Sequence, residues 1–222
     1  MRAMILAAGR GERLKPLTDS LPKPLIEVGG RPMIVRHLER LAGAGIKRVV
    51  INLAWLGDQI VDQVGSGDDF GLQIDYSPEP PGALDTAGGI VQALPLLGHD
   101  PFIVVSADIL TNYRFEHLPA RPQAQAHLVL VDNPVHHPEG DFKLSAGRVH
   151  SGTGRRLTFS GIAVFHPELF ADLPPGPKPL RPVLEQAIVA GRVSGEHFAG
   201  CWADIGTPQR LARAQQSGLA AS

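Results

Sequence analysis

An apolar run that ends in a glycine-rich loop constrains the fold of this chain more than any other stretch. Residues 3–8 read Ala-Met-Ile-Leu-Ala-Ala, which is typical of a β-strand buried on both faces. Gly9 and Gly11 follow at once, and three prolines between positions 16 and 24 exclude an α-helix, so we expect a stiff extended loop. Strands buried on both faces belong to parallel sheets covered by helices, and the run therefore predicts an α/β fold.

The loop after this strand carries cations as well as glycines. Arg13 and Lys23 add positive charge to a segment whose glycine N–H groups can face an anion, which indicates a site for a polyanionic ligand. Leu14 stands where the dinucleotide-binding fingerprint has its third glycine, and the Gly-Lys-Ser/Thr of the Walker loop is missing. An ordinary strand-to-loop connection with charged surface residues is the alternative that a short glycine motif leaves open.

Hydrophobic periodicity extends this pattern along the chain. Helical patterns alternate with short apolar strands through the first half, which predicts a parallel α/β sheet. Residues 141–150 resemble a hairpin, and we interpret His136 and His137 in the preceding polar loop as exposed residues. We expect helices at 33–41, 55–64, 85–94 and 183–190, and strands at 48–53, 72–76, 102–105, 128–131, 157–165 and 196–202.

Gly88 and Gly89 fall in the first turn of the helix predicted at 85–94, where each costs roughly 1 kcal/mol relative to alanine. Asp85 or Thr86 is the expected N-cap of this helix. The glycines indicate either that a ligand comes close to the helix start or that the helix packs tightly on the sheet. Their spacing favours neither explanation strongly.

Two aspartates follow predicted strands. Asp108 comes after the strand at 102–105, and the carboxyl ends of such strands are where ligands bind in open α/β sheets. Its alternative role is to cap the turn that follows. Asp204 follows the strand predicted at 196–202 and precedes an expected helix start with Thr207 as the cap.

Composition narrows the class of partner. The formal net charge of −1 argues against nucleic acid as the main partner, so any affinity for phosphate must be local. No apolar run is long enough to cross a bilayer, and the N-terminal apolar core is too short for a secretory signal. Cys201 is the single cysteine, which fits a reducing compartment. We therefore expect a cytoplasmic protein that binds neither nucleic acid nor membranes.

The run from residue 6 to residue 25 is too long for a chance match. It reads Leu-Ala-Ala-Gly-x-Gly-x-Arg-x-x-Pro-x-Thr and continues to Pro-Lys-Pro-Leu, while residues 202–208 read Trp-x-Asp-x-Gly-Thr-Pro. Together with Gly-Gly-Arg-Pro-Met at 29–33, these stretches resemble the sugar-1-phosphate nucleotidyltransferases. Members of that family join a nucleoside triphosphate to a sugar 1-phosphate and release pyrophosphate.

The resemblance implies a fold and a division of the chain. The expected fold is a Rossmann-like three-layer α/β domain whose mixed, mostly parallel central sheet is flanked by helices. One domain would span residues 1–222, with a nucleotide-binding part at about 1–110 and a sugar-binding part at about 111–222. The short chain matches compact members of the family, and we expect it to act as a monomer.

The resemblance also implies site residues, with Mg²⁺ as the cofactor on Asp108 and Asp204. Lys23 would hold the two reacting phosphates, and Arg13 would stabilise the departing pyrophosphate. The sugar pocket would be lined by Asp141, Ser160 and Gly161. The nucleotide would contact Leu6, Ala7, Ala8, Gly9, Gly11, Glu12, Arg13, Lys23, Glu79, Asp85, Gly88 and Ser106.

The chain departs from the common family pattern at two places and matches one branch more closely. Ser-Ala-Asp at 106–108 replaces Asn-Gly-Asp, and Gly-Asp-Phe-Lys at 140–143 replaces Glu-Lys-Pro. Stretches at 51–57, 128–134, 140–142 and 193–197 resemble the uridylyltransferases that act on N-acetylmuramic acid 1-phosphate in peptidoglycan recycling, which favours UTP. Guanylyl transfer to mannose 1-phosphate and a catalytically idle paralogue that binds nucleotide-sugars are the alternatives.

Overall fold

Strands and helices alternate from residue 31 to residue 106 in the computed structural model, which describes residues 1–80, 82 and 84–216. The helices are α1 (Met33–Gly43), α2 (Gly57–Val64), α3 (Asp85–Leu97), α4 (Leu180–Val189) and α5 (Pro208–Gln216). The strands are β1 (Arg2–Leu6), β2 (Glu27–Val28), β3 (Arg31–Pro32), β4 (Arg48–Leu53), β5 (Gln73–Pro78), β6 (Phe102–Ser106), β7 (Ile109–Thr111), β8 (Ala126–Val131), β9 (Lys143–Ser145), β10 (Arg148–His150), β11 (Thr158–Phe165), β12 (Val193–Phe198) and β13 (Trp202–Asp204).

One large sheet has the strand order β5-β4-β1-β6-β11-β8-β12-β10-β9. β5, β4, β1 and β6 are parallel neighbours, and β11 lies antiparallel to β6. Among the described strands of this sheet, only β11 and β10 run against the common direction. The sheet is therefore mixed and mostly parallel, as predicted.

Helices cover both faces of the large sheet because side chains alternate between its two sides. On β1, Ala3 and Ile5 join a core that α1 and α2 close, whereas Met4 joins a second core that α3 and α4 close. The result is the predicted three-layer α/β arrangement. Within the described residues, no helix has the length and apolarity that spanning a membrane would require.

The predicted helices correspond to α1–α4, with ends that differ by up to three residues. The loop after β1 differs from the prediction because it contains one-turn 3-10 helices at Glu12–Leu14, Leu17–Asp19 and Lys23–Leu25. A 3-10 turn closes with i to i+3 hydrogen bonds and stays short. Such turns therefore fit between prolines that exclude a longer α-helix.

The prediction of one strand at 196–202 is wrong, because these residues belong to two separate strands. β12 ends at Phe198, and β13 begins at Trp202 and pairs with β7 in a small separate sheet. A Cβ built on Gly200 would lie 2.2 Å from the Phe198 ring, so the chain folds back closely there. This break moves Asp204 out of the large sheet and places it opposite Ile109.

Candidate active site

Strand ends from both parts of the chain meet at one edge of the large sheet. The carboxyl ends of parallel β1, β4, β5 and β6 lie together, and antiparallel β11 begins at the same edge. Two adjoining cavities open there. The smaller cavity, of about 290 Å³, includes Gly9 and Glu79 in its wall, and the larger cavity, of about 650 Å³, includes Arg13 and Arg181. Both are lined by Leu6, Asp85, Thr86, Ser106 and Asp108.

The two glycines of the loop after β1 have different surroundings. A Cβ built on Gly9 would meet no protein atom within 4 Å, and Gly9 lines the smaller cavity. Gly11 has a φ of 70°, and its Cβ would lie 2.9 Å from Thr18 Cγ2 and 3.3 Å from Lys23 Cβ. Gly11 is therefore required by the fold of the loop. Gly9 leaves space that a ligand can fill.

A buried amide connects this loop to the neighbouring strands. Asn52, near the end of β4 and 3% exposed, accepts a hydrogen bond from Ala7 N at 2.7 Å and donates one to Glu79 Oε1 at 2.6 Å. Glu79 Oε2 accepts from Leu84 N at 3.0 Å. The Glu79 carboxylate thus contacts the segment before α3 directly and the end of β1 through Asn52. Sequence analysis missed Asn52, although a polar residue near the end of an apolar strand was a visible signal.

The first turn of α3 packs against a distant segment of backbone. The N–H groups of Ala87 and Gly88 donate to Lys178 O at 3.0 and 3.2 Å, and a Cβ on Gly88 would lie 2.4 Å from Gly176 O. Neither Asp85 nor Thr86 caps the helix with its side chain, since the Lys178 carbonyl meets these N–H groups instead. The structure thus supports packing as the reason for Gly88, although against a loop and not against the sheet.

Lys23 and Asp108 form an ion pair in the smaller cavity, and Asp108 also lines the larger one. The side chains are 12% and 33% exposed, so both remain within reach of a ligand. Behind Asp108, the imidazole of His37 on α1 is fully buried. Burial lowers the pKa of His37 from 6.5 to about 4, while the Ile109 backbone and the Asp108 charge oppose that shift.

Asp204 ends strand β13, which pairs with the strand that follows Asp108. β13 pairs with β7, and Ile205 N donates to Asp108 O at 2.7 Å. Asp204 Oδ2 forms an ion pair with Arg210, whose Nη1 is also 2.7 Å from Nε2 of His136. His136 Nε2 lies 3.0 Å from Asp204 Oδ1, but this nitrogen accepts a hydrogen bond from Arg210 and so does not donate one to Asp204. The buried Oδ1 atom of Asp204 therefore receives no hydrogen bond from the described residues.

These carboxylates fit a divalent ion. Asp108, in the turn between β6 and β7, and Asp204, at the end of β13, line the larger cavity, and the Oδ1 atom of Asp204 is buried without a hydrogen-bond donor among the described residues. Mg²⁺ takes one or two carboxylates and completes its shell with water and phosphate oxygens. Within the described residues no cluster of three or more His, Cys, Asp or Glu side chains is placed to hold a metal alone. The site therefore suits a metal that a phosphate ligand helps to bind.

The far wall of the larger cavity holds the predicted sugar-binding residues. Asp141 Oδ2 accepts from Phe159 N at 2.9 Å, and its Oδ1 lies 3.2 Å from both His137 and Arg181. Ser160 is buried, and its hydroxyl bridges Val129 O and Ile162 N across an irregularity in the pairing of β11 with β8. Ser160 therefore shapes the wall through its backbone.

Most residues implied by the family resemblance line one of these cavities. The larger cavity includes Arg13, Gly161 and Asp204, but Gly11, Glu12 and Gly88 lie outside both linings. Glu12 is exposed and forms ion pairs with Arg10 at 2.9 Å and Lys15 at 2.6 Å. The residues of the smaller cavity in this set are Leu6, Ala7, Ala8, Gly9, Lys23, Glu79, Asp85, Ser106 and Asp108.

Sequence analysis missed four side chains that line the larger cavity: His136, His137, Arg181 and Arg210. His136 is exposed, as predicted, yet its Nε2 atom lies 3.0 Å from Asp204 Oδ1. The prediction is wrong for His137, which is half-buried because its ring lies against Asp141. The two histidines follow the carboxyl end of β8, and that position was the signal available. No sequence pattern indicated Arg181 or Arg210, because each depends on how its helix docks.

A comparison with protein families decides where this arrangement belongs. Residues 2–142 match the family model described as nucleotidyl transferase, which is more than half of the chain. This chain belongs to the nucleotidyl transferase family. The resemblance inferred from the glycine loop is therefore confirmed, and the residues that match contain Arg13, Lys23 and Asp108.

Relatives of this nucleotidyl transferase differ in the sugar that their names give. This chain is 51% identical over 224 residues to the N-acetylmuramate alpha-1-phosphate uridylyltransferase of Neisseria meningitidis serogroup B, and the match covers 97% of each chain. It is 30% identical to a mannose-1-phosphate guanyltransferase of Aspergillus fumigatus, over 94% of this chain and 62% of that protein. This chain is thus more similar in sequence to the uridylyltransferase than to the guanyltransferase.

The fold is shared with a solved structure of lower sequence identity. A putative glucose-1-phosphate thymidylyltransferase from Bacillus anthracis superposes with a TM-score of 0.84 at 21% identity, and the match covers 97% of this chain and 94% of that one. This likeness confirms the predicted Rossmann-like fold class.

Proposed function

We propose that this nucleotidyl transferase joins UTP to N-acetylmuramate α-1-phosphate and releases pyrophosphate. The observation that carries the proposal is the meeting of two cavities at Asp108, beside Lys23. A nucleotide in the smaller cavity and a sugar phosphate in the larger one would have their phosphates together at that point. Identity of 51% over nearly the full length of a protein named for this reaction supports the choice of substrates.

In the proposed reaction, an oxygen of the sugar phosphate attacks the α-phosphorus of UTP in line. The new P–O bond forms as the bond to the departing pyrophosphate oxygen breaks. The second pKa of a phosphate monoester is about 6, so the nucleophile is largely ionised near neutral pH and needs no general base. Catalysis then depends on positioning and on neutralising negative charge.

The cations and the glycine loop supply this neutralisation. Lys23, partly buried at the junction of the cavities, would hold the two reacting phosphates. Arg13 and the backbone N–H groups from Gly9 onward would stabilise the departing pyrophosphate. Asp108 and Asp204 would hold Mg²⁺, which supplies charge neutralisation at phosphate oxygens when bound.

The two cavities would divide recognition between base and sugar. The nucleotide would lie along the loop after β1 and beside Glu79 and Asp85, and the sugar would lie against Asp141, Ser160 and Gly161. N-acetylmuramate carries a carboxylate on its lactyl group. Arg181 lines the larger cavity and forms ion pairs with Asp141 and Glu185, and its Nη2 atom, which forms no hydrogen bond with the described residues, would be the donor to that carboxylate.

Pyrophosphate release tests the proposal with four nucleoside triphosphates against N-acetylmuramate, N-acetylglucosamine and mannose 1-phosphates. We expect the fastest release from UTP with the N-acetylmuramate substrate, loss of release with a chelator and recovery with added Mg²⁺. Faster release from GTP with mannose 1-phosphate would favour guanylyl transfer. Tight binding of a nucleotide-sugar without release from any pair would favour the idle paralogue.

A further inference from the structure

Two arginines from opposite ends of the chain converge in the larger cavity. A Cβ built on Gly206 would lie 2.6 Å from Nη2 of Arg210 and 3.0 Å from Nη2 of Arg13. The two guanidinium groups are therefore neighbours above this glycine, and both line the cavity. Because the φ of Gly206 lies outside the left-handed region, space for these groups accounts for its missing side chain.

The positive charges of Arg13, which is exposed, and Arg210, whose side chain is 15% exposed, repel each other because both guanidinium groups lie beside Gly206. Asp204 neutralises Arg210, but Arg13 forms no ion pair with any described residue. His136 accepts a hydrogen bond from Arg210, but an imidazole carries no negative charge that would balance the guanidinium groups. The pair of guanidinium groups thus keeps a positive charge facing the open cavity, and a multivalent oxyanion would balance it.

We propose that Arg210 binds a phosphate group in the larger cavity together with Arg13. This inference rests on the proposed function, and it adds a residue that the family resemblance does not imply. The phosphate has two sources, namely the sugar 1-phosphate and the departing pyrophosphate. Both present the paired oxygens that an arginine fork recognises.

The local fold holds Arg210 ready for this contact. Thr207 Oγ1 accepts from Arg210 N at 3.3 Å at the start of α5, and only 15% of the Arg210 side chain is exposed. Nη1 contacts Asp204 while Nη2 lies beside Arg13. A guanidinium group held in this way loses little conformational freedom when an anion arrives.

Three variants test the assignment. Arg210→Gln removes the charge, Arg210→Lys keeps a charge beside Asp204 without the fork, and Gly206→Ala keeps both arginines but displaces their flexible ends. Arg213→Ala is the matched control, because Arg213 is exposed on the same helix and lines neither cavity. Urea denaturation establishes that each variant is folded.

The measurements separate the two sources of phosphate. Forward kinetics give kcat and KM for UTP and for the sugar 1-phosphate, and reverse kinetics give KM for pyrophosphate. Calorimetric titration with inorganic pyrophosphate and with inorganic phosphate adds a binding readout that does not depend on turnover.

We expect Arg210→Gln either to raise KM for the sugar 1-phosphate about 10- to 100-fold with KM for UTP unchanged, or to raise KM for pyrophosphate and for UTP together, because the β- and γ-phosphates of UTP become the pyrophosphate. The Arg213→Ala control should keep wild-type KM values. Arg210→Lys and Gly206→Ala would show smaller increases. A rise for the sugar 1-phosphate assigns Arg210 to that phosphate. A rise for pyrophosphate, with weaker calorimetric binding, assigns it to the leaving group.

Unchanged KM values and unchanged calorimetric affinities in a folded Arg210→Gln protein would overturn the assignment and leave Arg210 as a partner of Asp204 alone. Failure of the proposed function is a separate outcome. If the wild-type protein turns over no sugar 1-phosphate, the calorimetric comparison of wild type and Arg210→Gln still decides the role of Arg210.

Discussion

At the scale of single residues, Gly9 and Gly11 lack side chains for different reasons. Gly9→Ala should keep the free energy of unfolding within about 0.5 kcal/mol, because the new Cβ meets no protein atom within 4 Å. The same methyl group would project toward a nucleotide in the smaller cavity and raise KM for UTP. Gly11→Ala should cost about 1–2 kcal/mol, because its φ is 70° and Thr18 lies too close.

Urea denaturation and UTP kinetics on both variants check this prediction. Each variant serves as the control for the other, since the two positions share one loop. A Gly9→Ala enzyme with unchanged KM for UTP would show that the nucleotide does not approach this part of the loop.

Lys23 should matter more for turnover than for folding. Lys23→Ala removes the cation nearest Asp108, and we expect kcat to fall by about 10²- to 10³-fold. The free energy of unfolding should change much less, because Asp108 is 33% exposed and water can replace the lysine. Lys47→Ala is the control, since Lys47 is exposed and lines neither cavity. Wild-type pyrophosphate release by Lys23→Ala would remove this residue from the mechanism.

Residues of the site differ in how far sequence could reveal them. Lys23 and Arg13 were visible because they belong to one continuous loop with a strong motif. Arg210 was not, because its position in the cavity depends on the pairing of β13 with β7, which connects residues far apart in sequence. Tertiary contacts of this kind leave no periodic pattern.

At the scale of elements, the glycine at the start of α3 offers a test of packing. In Gly88→Ala, the new Cβ would lie 2.4 Å from Gly176 O, so the 176–178 segment must move away from the helix. We expect a loss of about 1–3 kcal/mol, the typical cost of overpacking. Gly43→Ala in α1 is the control, because its Cβ meets no atom within 4 Å and alanine favours a helix.

Chemical denaturation of both variants measures the difference. A Gly88→Ala protein as stable as wild type would favour the other explanation of this glycine, that a ligand needs the space. Sequence alone could not separate the two explanations, because the contact that decides between them joins residues 88 and 176.

At the scale of the whole molecule, the sequence predicts the layers better than the order of the strands. The parallel half follows from alternating helix and strand patterns, since each βαβ crossover places the next strand parallel to the last. The other half contains β11 between β6 and β8, an arrangement that no local pattern encodes. That insertion brings Ser160 and Gly161 to the edge where β1 and β6 end.

His37 connects this architecture to the pH dependence of stability. Burial lowers its pKa from 6.5 to about 4, and neither ring nitrogen has a hydrogen-bond partner of good geometry among the described residues. In the unfolded chain its pKa returns to about 6.5. Between these values the unfolded state binds more protons than the folded state, so the free energy of unfolding rises with pH by about 3 kcal/mol in total.

His37→Leu should therefore flatten the curve of unfolding free energy against pH between pH 4 and 6.5, as urea denaturation at several pH values would measure. Glu196 contributes in the same direction, because the nearby His127 imidazole, 3.7 Å from its carboxylate, and the Tyr113 hydroxyl that donates to it lower its pKa, and its stabilisation is lost as pH falls below 4.5. The contribution of Glu196 is the same in wild type and in His37→Leu, so it cancels when their free energies of unfolding are subtracted. Parallel curves for wild type and variant would contradict the prediction, since they would mean that His37 titrates alike in the folded and unfolded states.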